Sequence, residues 1–87
     1  MSTSELWKEL SHDPNWVRVS TPSHGDIVIS PTGRSRGHVG IYLKNGRIAS
    51  NNSRSATFKA EFKSVEQWKD YFGGRKGLPT YFLRKIG

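Results

Sequence analysis

Leu6, Trp7 and Leu10 fall on one side of a helical wheel that opens at Ser4, a residue type that caps helices, and the apolar spacing stops before Asp13-Pro14. This pattern predicts a short amphipathic helix. The period then changes. Trp16-Val17-Arg18-Val19 alternates as a half-buried strand does, and a turn-rich stretch from Ser20 to Gly25 leads into the apolar run Asp26-Ile27-Val28-Ile29-Ser30. After the loop Pro31 to Gly37, two further strand patterns, His38 to Leu43 and Arg47 to Asn52, flank Asn45-Gly46, a strong short hairpin signal. Thr57 to Phe62 reads as another short strand. Ser64-Val65-Glu66-Gln67 then has the form of a capping box, and Val65, Trp68 and Phe72 share one helical face that Gly73-Gly74 is expected to end. Thr80 to Arg84 reads as a closing strand.

Short connections between the central strands favour antiparallel pairing. The expected architecture is therefore α+β: a small curled antiparallel sheet of about five strands, with one helix at the start and another before the last strand. At 87 residues the chain suits one domain, residues 1–87, rather than two.

Hydrophobic residues make up only 33% of the chain, but three Trp, three Tyr and four Phe supply enough apolar area for a folded core. Zero Cys excludes disulfides, thiolate metal sites and a cysteine nucleophile within these residues. Nothing else in the sequence asks for a metal or a cofactor. The first ten residues lack the basic and apolar regions of a secretory leader, and no apolar run is long enough to span a bilayer. The expected location is the cytoplasm, with release to the cell wall on phage lysis.

The formal net charge of +7 is unevenly distributed, since residues 31–87 hold twelve bases against three acids. Such a field favours an anionic partner, and Arg34, Arg36, Arg54, Arg75 and Lys76 are the candidate anion-binding residues. A solvated basic surface accounts for the same charges.

Of the three histidines, His12 and His24 sit in turn-rich, polar surroundings. His38 differs because it opens a strand, with Gly37 and Gly40 leaving room beside its ring, which makes it a candidate general base. Strand alternation puts Val39, Ile41 and Leu43 on the expected core face and His38 opposite, beside an open groove. A two-residue hairpin loop would set Asn51 and Ser53 on the side of His38, whereas a three-residue loop with a glycine bulge would set Ser50 and Asn52 there. In either register an asparagine amide is available to fix the imidazole tautomer. The pair Asn51-Asn52 also fits a plain strand end.

Gly25-Asp26-Ile27-Val28-Ile29 followed by Gly37-His38-Val39-Gly40-Ile41-Tyr42-Leu43 and Asn45-Gly46 resembles the second half of the CHAP and NlpC-type peptidoglycan hydrolases, particularly those of phage endolysins. The resemblance implies half of a papain-like fold, with His38 as catalytic histidine and Asn51 or Asn52 as the orienting third member. It covers residues 16–55, and the order and spacing of the motifs carry it. In that family the nucleophilic cysteine opens a helix upstream of the histidine, and this chain is expected to start too late to contain it. Ser4 and Ser11 are the upstream hydroxyls near the first helix.

Two functions follow. One is a non-catalytic or partner-dependent remnant of a cell-wall amidase or endopeptidase, binding anionic wall polymer (peptidoglycan or teichoic acid) or a partner protein. The other is a small basic interaction protein of phage type, a host-defence inhibitor or nucleic-acid binder that uses the sheet as a scaffold, although no nucleic-acid motif is present. A second copy of the chain is a further candidate partner, covering the face expected to be open at His38.

Overall fold

The structure, a computed structural model, describes residues 3–31, 38–52 and 57–87; for Ser4, residues 51–52 and residues 57–61 the description is of the backbone alone. Helix α1 spans Thr3–His12, so Ser4 lies within its first turn. Six strands follow: β1 Trp16–Val19, β2 Ile27–Ser30, β3 His38–Tyr42, β4 Ile48–Asn52, β5 Thr57–Phe62 and, after the second helix, β6 Tyr81–Lys85. They form one sheet in the order β1-β6-β2-β3-β4-β5, and every neighbouring pair is antiparallel. The fold is α+β as expected, with six strands in the sheet among the described residues.

The closing strand enters the sheet rather than extending its edge. Val19 pairs with Phe82 on one side of β6, and Val28 pairs with Phe82 on the other. The cause is legible in its side chains: Phe82 and Leu83 are adjacent, point to opposite faces and are both buried, which an edge strand with one wet face would not accommodate. Val28 and Ile29 in β2 show the same two-sided burial.

Helices cover both faces. On one face Leu6, Trp7 and Leu10 of α1 pack with Ile29, Leu83 and Val39, and Trp7 stacks on Tyr81 at 4.2 Å between ring centroids. On the other, α2 (Val65–Lys69) lays Trp68 over Val28, Ile48 and Phe82. The capping box forms with a one-residue offset: Ser64 Oγ accepts the Gln67 N–H at 3.1 Å, and Gln67 Oε1 accepts from the Lys63 N–H at 2.7 Å. Gly73-Gly74 does not end the helix. The chain continues as a π-helical segment, Asp70–Arg75, which keeps Phe72 buried beside Trp68 and closes with bonds from Gly77 N–H to Gly73 O and Leu78 N–H to Phe72 O. Among the described residues no helix is long and apolar enough to cross a membrane.

Candidate functional site

The hairpin register settles which residues can neighbour His38. Leu43 N–H donates to Arg47 O at 2.8 Å, Gly46 N–H donates to Leu43 O at 2.9 Å, and Tyr42 pairs with Ile48. The loop is therefore the three-residue Lys44-Asn45-Gly46, with Gly46 at φ 83°, the left-handed conformation a glycine bulge needs. Ser50 stands opposite Gly40, and alternation sets position 52, rather than 51, on the side of His38. The side chains of Asn51 and Asn52 lie outside the described residues. Ser50 is fully buried on the same face, diagonal to His38.

His38 begins β3 opposite Ser30 of β2 and is half-buried. Its ring stacks on Phe72 with centroids 5.4 Å apart and lies 5.6 Å from Trp68. His38 faces the larger of the two cores, where Trp68 of α2 and Phe72 of the π-helical segment pack against it, and its ring remains half-buried. Strand alternation does not turn His38 away from apolar packing here, because the sheet has a core on each face. Val39 packs with the α1-side cluster, Ile41 is 38% exposed, and Tyr42, on the side of His38, packs half-buried against the Trp68 cluster. The space that Gly40 provides is used by the protein itself, since a Cβ there would lie 2.7 Å from Ile48 Cγ2 and 3.3 Å from Trp68 Cζ3.

A hydroxyl relay that the sequence reading missed supports this arrangement. Trp68 Nε1–H donates to Ser30 Oγ at 2.8 Å, and Ser30 Oγ lies 3.1 Å from Thr80 Oγ1. The available signal was Trp68 itself, because a buried indole N–H needs an acceptor, and Ser30 closes an otherwise apolar strand.

The other candidates separate. Arg34, Arg36 and Arg54 lie outside the described residues. Arg75 and Lys76 are exposed and meet at the ring of Tyr71, at 5.7 and 5.2 Å, and Lys76 also lies 5.7 Å from the Phe72 ring that stacks on His38. His24 is exposed, and His12 Nδ1–H donates to Lys8 O at 2.7 Å at the end of α1. The Ser11 hydroxyl donates to Trp7 O at 2.6 Å, which commits it to the helix backbone. No group of three or more His, Asp or Glu that could hold a metal comes together among the described residues.

The chain belongs to the NlpC/P60 family, whose model matches residues 2–76. Among characterised proteins, the peptidoglycan DL-endopeptidase CwlO of Bacillus licheniformis is 40% identical over 58 residues, which cover 67% of this chain and 13% of that protein. The chain thus aligns with a small part of its relative's length. No solved structure gives a match.

Proposed function

We propose that these 87 residues are the base-bearing part of an NlpC/P60 peptidoglycan endopeptidase, one that engages wall polymer but does not cleave it without a thiol from another polypeptide segment. The observation that carries this reading is His38, held at the head of β3 by Phe72 and Trp68 in a chain with no cysteine. In thiol acyl transfer the imidazole takes the proton of the nucleophile and later delivers it to the leaving amine, while a third polar group fixes its tautomer. In this reading His38 takes the first role and Asn51 or Asn52 the third, and the β3–β4 register supports Asn52. The nucleophile has no counterpart here, since the Ser11 hydroxyl is engaged by the backbone of α1. Peptidoglycan as the polymer is supported by the family and by the named substrate of the relative.

Turbidity and sedimentation of a cell-wall suspension test this together. The purified chain is expected to co-sediment with walls and leave turbidity unchanged, whereas the chain mixed with a cysteine-bearing NlpC/P60 segment should lower it in a His38-dependent way. Turbidity loss by the chain alone that disappears in His38→Ala would overturn the reading and make Ser4 the leading nucleophile.

A further inference from the structure

The start of β6 and the end of β1 form, with the last turn of α2, a cleft of about 590 Å³. Among the described residues Arg18, Ser20, Lys69, Thr80, Tyr81 and Phe82 line it, and no acidic one does. Arg18, Ser20 and Lys69 fall within the stretch matched by the family, and residues 80–82 lie beyond it.

Two cations are positioned here by aromatic rings. The Arg18 guanidinium lies 4.4 Å from the centre of the Tyr81 ring, and Lys69 Nζ lies 5.8 Å from that of Phe82. Tyr81 is itself held by its stack on Trp7, and Phe82 is buried, so both platforms belong to the core rather than to a mobile surface. A guanidinium laid on a ring keeps its N–H donors around its edge, in the plane suited to the two oxygens of a carboxylate or phosphate. The Ser20 and Thr80 hydroxyls add neutral donors. Among the described lining residues there are two positive charges and no negative one, a field that favours an anion.

We propose that this cleft is an oxyanion-binding site, taking the carboxylate or phosphate of a ligand whose remaining atoms lie against the Tyr81 side of the cleft. Its size argues against a bare ion, because at about 30 Å³ per water it holds on the order of 20 water volumes. It also lies within reach of His38. Thr80 precedes β6, which is two strands from β3, about 10 Å at the spacing of neighbouring strands. Thr80 joins Ser30, which binds Trp68, which contacts His38. The inference itself needs only the cleft and holds whether or not the chain takes part in cleavage.

Calorimetric titration of the purified chain at low salt tests it, with inorganic phosphate and glutarate as separate probes. Saturable binding is expected for at least one probe, and the tighter of the two identifies the source of the oxyanion. Loss of a charge-assisted hydrogen bond in Arg18→Gln or Lys69→Gln should weaken binding about tenfold. Lys44→Gln and Lys63→Gln, which remove exposed charges elsewhere, should leave it unchanged. Lys69→Arg, which keeps the charge on an exposed helical position, should retain it. Equal weakening by all four glutamine variants would reduce the effect to net charge, and absence of saturable binding for both probes would remove the site; either result overturns the proposal.

Discussion

Arg84 grips the buried carboxylate of Asp26 across fifty-eight residues of chain, with Nε 3.0 Å from Oδ1 and Nη2 2.8 Å from Oδ2. The same Nη2 donates to Ser23 Oγ at 3.0 Å, and Ser23 N–H donates to Asp26 Oδ2 at 2.7 Å. The aspartate of the Gly-Asp motif thus ties the 20–26 turn to β6. Burial raises the Asp26 pKa, but the Arg84 hydrogen bonds, the Ser23 N–H and the Arg84 charge together outweigh it and hold the carboxyl below its ordinary 3.8. A depressed folded-state pKa contributes stability that is present above 3.8 and lost as pH falls through the folded value. Asp26→Asn should therefore lower the melting temperature at neutral pH, on the order of 5 °C. The gap to the parent should close at a pH well below 3.8, where the carboxyl is protonated in the folded state too. An equal gap at both pH values would show that the pair contributes shape and not charge.

Gly40 is expected to tolerate no side chain. A Cβ would stand 2.7 Å from Ile48 Cγ2 and 2.8 Å from the Ala49 carbonyl, and the second of these is backbone that cannot swing aside. Gly40→Ala should cost about 1–3 kcal/mol in denaturant unfolding. A neutral result would mean that β3 and β4 can separate locally without penalty.

Trp68→Phe keeps most of the ring area but removes the donor to Ser30 Oγ, and should destabilise by about 1–3 kcal/mol. Trp68→Ala should cost about 3–5 kcal/mol. Both variants should also shift the His38 ring resonances in NMR spectra, since the rings are in contact. Unshifted His38 signals in a folded Trp68→Phe variant would separate the histidine from that packing.

Arg75 and Lys76 predict how binding to a polyanion responds to salt. Because both are exposed, each phosphate contact they make should release one counterion. The double change Arg75→Gln and Lys76→Gln is then expected to flatten the salt dependence of binding to a phosphate polymer by roughly two in log–log slope. An unchanged slope would place the polymer elsewhere on the chain.

Local order was legible wherever one segment determined it. The amphipathic start, the Ser64–Gln67 cap and the Asn45-Gly46 hairpin each depend on residues within a few positions of one another, and all three form. Even there the loop length was open, because two- and three-residue hairpins share the same Asn-Gly, and tertiary pairing chose between them. What the sequence reading missed was non-local. That β6 lies between β1 and β2 depends on which strands need apolar cover on both faces, and the neighbouring Phe82 and Leu83 carried that information without being read for it. The same one-sided view of the sheet placed His38 beside empty space. In the fold, Trp68 and Phe72, assigned only to a helix face, are what it meets.

The insertion of β6 also fixes an order of events during synthesis. Among the described strands β1 hydrogen-bonds to β6 alone, so residues 16–19 have no strand to pair with until residues 81–85 have been made. The hairpin of β3 and β4, joined by three residues, can close as soon as it emerges, whereas β1 waits on β6. Contacts of such long sequence separation carry a loop-closure cost before any gain and slow folding. A nascent chain halted before residue 81 should accordingly be protease-sensitive at residues 16–19, and a mass-spectrometric map of arrested chains would reveal this as cleavage that vanishes once β6 is released.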